Sequence, residues 1–426
     1  MKKRILVKGP ALSRSGYGEQ TRFALNALRT AEDKFEIFII NIPWGATGHI
    51  TTTNELRTWI DGTLQKTMHY LQQGGQFDIS LQVTIPNEFE PIAPINVGYT
   101  AGIETNKVAP QWIEKGEQVD KIILVSHHSR TVYENTTYEA RNEQTGEIVP
   151  NYRCTTPMET VNYCVRGTAE PADIGLDLDY DFNFLAMAQA GPRKNLANTI
   201  KWFVEEFIDQ EVGLVVKANI QSDSLLDRRH TEDLFKSLLR PYGDRKNKVY
   251  LLHGTMEDEE LAALYNNEKI KAMVSLSHGE GFGLPLFEAV CNGMPVICPL
   301  WSGQSDFLYA PIKDKKTKKT KMRSHCAKVD FNLQPVQQEA HWEGVIQADS
   351  LWCVPEQGSY KMRLREVYKN YPRFKSQAER LKKYVLKEMS ADKQYAKFVN
   401  AIWELVEPSK EEEEWKEYTN QVVNYD

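Results

Sequence analysis

Ser277-His278-Gly279-Glu280-Gly281-Phe282-Gly283-Leu284-Pro285-Leu286-Phe287-Glu288-Ala289-Val290 is the stretch on which the reading of this chain turns. The apolar run Met273 to Leu276 before it reads as a buried parallel strand. The glycines read as a loop, and the residues after them as a helix closing near Asn292-Gly293, where a glycine suits a C-cap. Strand, glycine turn and helix N-terminus together present free backbone N–H groups to an anion. Gly281 and Gly283, lacking a Cβ, would let the backbone approach a ligand closely.

Two carboxylates frame the loop. Glu280 stands at its mouth and Glu288 follows after seven intervening residues, about a turn into the helix, so both could face one crevice. Carboxylates accept from paired hydroxyls such as those of a sugar or a ribose. The segment resembles the signature of GT-B glycosyltransferases of family four, whose Glu-x7-Glu pair holds a nucleotide-sugar donor. The similarity continues through Cys291-Asn292-Gly293-Met294-Pro295-Val296-Ile297.

The bulk composition is compatible with this. A chain of 426 residues has room for two or three domains, and 41% hydrophobic with 10% aromatic residues can build real cores. A net charge of −6 argues against a nucleic-acid binder by overall charge and leaves only a local patch for that role. The six cysteines are scattered without a C-x-x-C pair, which favours free thiols in a reducing cytosol over a disulfide frame or zinc site. No apolar run approaches the roughly 18 residues a spanning helix needs. Met1 to Val7 reads as a first strand rather than a leader.

In the first half, Ile5 to Lys8 is a strand, Gly9 to Gly18 a loop, and Glu19 to Leu28 a helix. The loop, with Gly16 and Gly18, resembles the glycine-rich loop that faces the donor in GT-B enzymes. Strands are expected at Phe35 to Ile42, Phe77 to Val83, Ile95 to Tyr99, Lys121 to Ser126 and Thr160 to Val165, with a helix from Thr53 to Gln73. Glu104 follows a strand end, where open α/β sheets place ligand groups, so it is an acceptor-side candidate or a helix-capping acid. His127 and His128 stand at another such end. The resemblance implies a histidine from this half, and both remain candidates. Gln144 to Glu147 reads as a hairpin turn.

Arg166 to Tyr180 reads as a linker, after which strand–helix alternation restarts at Phe182 to Ala188. Arg193 and Lys194 at the next turn pair a guanidinium fork with a point charge, a combination suited to a diphosphate. The resemblance implies that such a pair neutralises the leaving nucleoside diphosphate. The family's other arginine is not evident, so its role would pass to Arg193 or Lys217. Further on, Trp301 to Phe307 resembles the loop at the donor-site rim. Lys313 to Arg323 departs from the family, with seven cations around one acid, Asp314. Such a run is a solvated loop or a nucleic-acid contact. Trp352 to Pro355 is expected to return to the sheet, with helices at Met362 to Tyr371, Phe374 to Met389 and Ala391 to Val406, and an acidic tail at Glu411 to Glu414.

The expected fold is α/β, and the resemblance to GT-B enzymes implies two Rossmann-like domains facing a central cleft, with a final helix crossing back onto the first. The boundaries expected are 1–168 for the acceptor domain, 169–389 for the donor domain with a basic insertion at about 311–330, and 390–426 for the crossover helix and tail. By resemblance the chain is a retaining, metal-independent transferase, hexosyl or pentosyl, using a UDP- or GDP-linked sugar and no further cofactor. Glu280, Arg193 and Lys194 would serve catalysis. Gly16, Gly18, Gly281, Phe282, Gly283 and Glu288 would hold the donor. Two alternatives stand beside this: the same chemistry on hydroxymethylated pyrimidines of DNA, approached through Lys313 to Arg323, and an inactive GT-B module that only binds a nucleotide-sugar. The first half has a looser resemblance to phage-encoded members, which would place the protein in a host cytoplasm.

Overall fold

The computed structural model describes residues 2–45, 47–141, 145–167, 169–313 and 317–406. The first half runs β1 (Lys3–Gly9), α1 (Gly16–Arg29), β2 (Phe35–Asn41), α2 (Glu55–Gln72), β3 (Ile79–Val83), β4 (Ile95–Thr100), α3 (Pro110–Gly116), β5 (Lys121–Leu124) and α4 (His127–Asn135). A hairpin of β6 (Tyr138–Arg141) and β7 (Ile148–Tyr152) follows, then β8 (Met158–Thr160). Six strands form one parallel sheet in the order β2-β1-β3-β4-β5-β8. Ile5, Leu6 and Val7 are all buried, as a strand covered on both faces requires.

The second half restarts with β9 (Asn183–Gln189), α5 (Leu196–Glu206), β10 (Gly213–Asn219), α6 (Leu225–Leu239), β11 (Lys248–Leu252), α7 (Asp258–Asn266), β12 (Ile270–Val274), α8 (Leu284–Cys291) and β13 (Val296–Pro299). A ribbon of β14 (Tyr309–Lys313) and β15 (Thr320–Ser324), then β16 (Ala327–Val329), β17 (Phe331–Pro335) and β18 (Leu351–Pro355), lead to α9 (Gln357–Lys369), α10 (Tyr371–Glu388) and α11 (Ala391–Trp403). The second parallel sheet has the order β11-β10-β9-β12-β13-β16.

Each order reverses once, between β1 and β3 in the first sheet and between β9 and β12 in the second. At such a switch point the two following connections leave on opposite faces and open a crevice at the strands' carboxyl ends. α11 crosses back as expected. Phe398 packs on Phe23 of α1 and Tyr99 of β4, with ring centroids 5.6 and 5.0 Å apart, and Trp403 lies edge-on to Phe35.

Several expectations are corrected. α1 begins at Gly16 rather than Glu19, because the Ser15 hydroxyl accepts the Gly18 N–H at 3.1 Å and caps the helix. The strand expected at Thr160 to Val165 is Met158–Thr160. Past it the chain leaves the sheet, and the Val165 N–H donates to the Met389 carbonyl at 2.8 Å. Leu351–Pro355 does not rejoin the main sheet but pairs antiparallel with Phe331–Pro335, and the unforeseen Ala327–Val329 takes the sheet edge. The basic run is no plain loop, since its described flanks form the antiparallel β14–β15 ribbon. Residues 314–316 of that run, Gln144 of the expected turn and the acidic tail lie outside the described residues.

Phe398→Ala would remove a fully buried ring from the α11–α1 contact. It should lower stability by about 3–5 kcal/mol, seen as an earlier midpoint in urea unfolding.

Candidate active site

The carboxyl ends of β9 and β12 meet at the second switch point. Their following turns are tied by the His278 N–H, which donates to the Arg193 carbonyl at 2.8 Å, and by Asn195 Nδ2, which donates to the Leu276 carbonyl at 3.2 Å. Asn195 holds the left-handed conformation at φ 50°, one that asparagine tolerates better than most residues. This sets Lys194 Nζ 2.6 Å from Glu280 Oε1 and Arg193 Nη1 3.2 Å from Glu280 Oε2. The other Arg193 nitrogen, Nη2, lies 3.2 Å from Glu104 Oε1, so one guanidinium spans both halves.

Electrostatics follow from this packing. Burial pushes the Glu280 carboxyl up, but Lys194 and Arg193 outweigh it and bring the value down to about 2. Burial, with Arg193 alongside, pulls Lys194 down. Against that, the ionised Glu280 carboxylate at 2.6 Å favours the charged ammonium. Glu104 is raised by burial, incompletely offset by Arg193.

The signature loop is clamped from both sides. The Glu280 N–H donates to Ser302 Oγ at 2.9 Å, and the Gly303 N–H donates to the Glu280 carbonyl at 2.9 Å. A Cβ on Gly279 would lie 1.9 Å from the Glu104 carbonyl oxygen, and one on Gly281 1.8 Å from that of Ala101. Gly281, expected to make room for a ligand, therefore makes room for the other half of the protein. Gly283, at φ 94°, turns the chain into α8. The Phe282 ring packs on Tyr163, Phe287 and Phe307, which leaves only its backbone to a ligand. Gly18 is required for a similar reason inside the first half, since a Cβ there would sit 1.9 Å from the Ser13 carbonyl oxygen, whereas one on Gly16 would meet nothing within 4 Å.

Glu288 occupies a second charged cluster that shares no partner with the first. Tyr265 donates its hydroxyl to Glu288 Oε2 at 3.0 Å, and Arg166 Nη1 lies 3.6 Å from Glu288 Oε1. Arg166 Nη2 also pairs with Glu19 of α1 at 2.5 Å, and Glu19 in turn pairs with Arg22 at 2.6 Å. Burial raises Glu288, and Arg166 and Tyr265 counter it only in part. Lys217, at the end of β10, is lowered by burial and feels Glu288 and Arg14.

The two histidines differ. His127 Nδ1 and the His127 N–H both lie 2.9 Å from Asp306 Oδ2, across the halves, and the ring is raised by that hydrogen bond while its side chain stays 71% exposed. His128 is largely buried against Trp301 and is pulled down to about 4 by that burial, so its ring is neutral near pH 7. Its Nε2 is buried without a hydrogen-bond partner.

Sequence reasoning treated Arg166 as linker, placed Ser302 and Asp306 only within the rim loop Trp301 to Phe307, and passed over Tyr265. It placed Tyr17 only within the loop Gly9 to Gly18. The Tyr17 hydroxyl accepts the Gly102 N–H at 3.2 Å and bonds Thr100 Oγ1 at 2.8 Å, which fixes the turn that carries Glu104. The one available signal was Arg166 itself, a lone cation closing the mostly apolar stretch Val161-Asn162-Tyr163-Cys164-Val165. Among the described residues no three or more His, Cys, Asp or Glu side chains gather as a metal ion would require.

Two doubly wound lobes meeting across their switch points define the GT-B class of fold. Residues 184–308, which contain β9 to β13 and the signature loop, match the family "Glycosyl transferases group 1" and form a domain of that kind. Over 118 residues the chain is 34% identical to the serotype-specific mannosyltransferase WbdA of Escherichia coli, a match covering 27% of this chain and 13% of that much longer protein. Among solved structures, the sucrose-phosphate synthase of Thermosynechococcus elongatus superposes with TM-score 0.60 at 13% identity, covering 95% of this chain and 99% of that one. A glycosyltransferase of Rickettsia africae gives 0.61 at 11%, covering 96% and 100%. Anabaena Alr3699/HepE, solved with UDP-glucose, gives 0.55 at 11%, covering 93% and 98%.

Gly281→Ala should hold the halves apart, raising the radius of gyration in small-angle X-ray scattering. Gly16→Ala should leave that radius unchanged and gain up to about 1 kcal/mol of stability.

Proposed function

We propose that this chain moves a sugar from a UDP- or GDP-linked donor to an acceptor hydroxyl with retention of configuration, on the division 1–168, 169–389 and 390–426. The observation that carries it is the meeting of Lys194 and Arg193 with Glu280 at the switch point of a group 1 glycosyltransferase domain. A departing diphosphate would draw Lys194 and Arg193 toward itself, and the N-terminus of α8 behind Gly281, Phe282 and Gly283 would add its aligned N–H groups. These fixed charges do the work that a metal ion does in other phosphate sites. Glu280, already ionised, would accept from sugar hydroxyls, and Glu288 from the ribose diol. By resemblance, the leaving phosphate oxygen takes the acceptor's proton on the face from which it departs. Meeting of the two halves would keep water from competing as acceptor.

On the acceptor side, Glu104 is held by Arg193 and would be freed when the diphosphate claims that guanidinium. His128 is favoured over His127, because its neutral ring keeps an unpartnered nitrogen while His127 is engaged by Asp306. A second acceptor class, a hydroxymethylated base in DNA, is supported by one feature: Lys318, Lys319, Lys321 and Arg323 are exposed beside or within the β14–β15 ribbon. Binding to duplex DNA that weakens steeply with salt and disappears when these four are neutralised would favour it.

Glu280→Gln should cut transfer by about 100-fold, the scale of losing one preorganised charged contact, while nucleotide affinity changes little. Glu288→Ala should instead weaken nucleotide binding by roughly tenfold, about one lost charge-assisted hydrogen bond. Product anomers read by NMR test retention. Full activity in both variants would overturn the assigned roles.

A further inference from the structure

Glu288 does not wait for a ligand in isolation. Its Oε2 accepts the Tyr265 hydroxyl at 3.0 Å, and its Oε1 faces Arg166 Nη1 at 3.6 Å. The same guanidinium turns its Nη2 to Glu19 Oε2 at 2.5 Å, and Glu19 lies in the first turn of α1, in the other half. Arg166 itself belongs to neither sheet. It lies on the crossing segment, one residue past Val165, whose N–H donates to the Met389 carbonyl where the chain crosses a second time. One planar cation thus touches the crossing, the first half and the carboxylate assigned to the ribose.

We propose that Arg166 is a positioning residue, fixing the Glu288 carboxylate for a ribose diol and making that act depend on the two halves being together. This rests on Glu288 as the nucleoside acid. The 3.6 Å separation leaves Oε1 oriented by charge without a full hydrogen bond, so its lone pairs stay open to a diol. The 2.5 Å contact to Glu19 is the tighter of the two, so the first half holds the guanidinium in place. If the halves part, Arg166 must leave Glu19 or Glu288, and Glu288 would then lose its aim or its countercharge.

The electrostatic surroundings support this. The groups that face Glu288 are Arg166, Glu19, Asp258 and Tyr265, with Lys217 across from β10 and Cys291 on its own helix. Burial raises the Glu288 carboxyl above its ordinary value of 4.5, and Arg166 is the largest influence opposing that rise. Lys217 is itself lowered by burial and is a weaker counterion. Without Arg166 the carboxyl would rise further. It would then take up a proton at a higher pH than in the unaltered chain, and a protonated Glu288 presents one acceptor oxygen fewer to the diol.

The test is the dissociation constant of whichever of UDP or GDP the unaltered chain binds, measured by calorimetry between pH 5.5 and 8.5, with melting curves confirming that each variant is folded. The unaltered chain should lose affinity on acidification only as the nucleotide's terminal phosphate takes up its proton at about pH 6, a loss every variant shares. Arg166→Gln should weaken by roughly a further tenfold between pH 8 and pH 6, one pKa unit of change being tenfold. Arg166→Lys should restore the unaltered profile, because a cation remains, but bind more weakly, because an ammonium cannot fork between Glu19 and Glu288. Glu19→Gln should weaken binding without changing the profile. Glu288→Gln should bind weakly at every pH, and adding Arg166→Gln to it should introduce no further pH dependence. If Arg166→Gln matches the unaltered chain in affinity and profile while Glu288→Gln binds weakly, the role of Arg166 is overturned and the ribose assignment survives. If Glu288→Gln binds normally, or neither nucleotide binds at all, the donor assignment falls and the proposal with it.

Discussion

A carboxylate taken out of water is tolerable only beside matched cations, and Glu280 has two of them within 3.2 Å. The rest of the architecture is arranged around making that possible. Arg193 and Lys194 must leave the end of β9 on a short turn, which the left-handed Asn195 closes before α5 begins. Glu280 must leave the end of β12 on a turn that is clamped to Ser302 and Gly303. The reversal of strand order between β9 and β12 brings those two turns side by side. Removing one partner would strand a buried charge, a loss larger than the pair's own net contribution. The cluster is thus a constraint on the fold as much as a chemical device.

That constraint reaches the first half through Arg193 and Glu104. Because Gly279 and Gly281 carry no Cβ, the carbonyls of Glu104 and Ala101 can approach the signature loop directly. The missing Cβ atoms of these two glycines serve contact between the halves. The first half supplies its own rigidity to this contact, since the Tyr17 hydroxyl pins the turn after β4. Charge and shape therefore work together, the guanidinium bridging where the backbones touch.

Much of this was legible in the residues. The alternation of apolar runs and glycine turns pointed to both parallel sheets, and the structure brings Glu280 together with Arg193 and Lys194, which the sequence had singled out. Sheet order was not legible, because any of several orders buries the same alternating runs, and a three-residue edge strand such as Ala327–Val329 carries too little pattern to be seen. Ser302 and Asp306 were hidden for another reason. Their roles depend on partners distant in sequence, Glu280 and His127, and no local periodicity records such a pairing. Arg166 was misjudged because a polar segment without strand or helix looks like a spacer until its contacts are known. The separation of Glu280 and Glu288 into two clusters has the same origin, since spacing along a helix says which way a side chain can point and not which cation lies there.

Apolar and charged contacts join the halves in different ways. Phe398, Tyr395 and Trp403 of α11 pack on rings of the first half, Tyr163 packs on Phe282, and the Val165–Met389 hydrogen bond ties the two crossings together. Apolar burial of this kind is short in range and is not screened as ion pairs are. The charged contacts are Arg193 with Glu104, His127 with Asp306, Arg166 with Glu19 on one side and Glu288 on the other, and Arg14 with Glu257. A buried ion pair gives up a partner cheaply only when another charge takes its place, and a phosphate supplies one. On the proposed donor assignment, a diphosphate entering the cleft would compete for cations that already bridge the halves. On that assignment the charged contacts between the halves are the ones that would meet the donor, whereas the rings of α11 carry no charge to exchange.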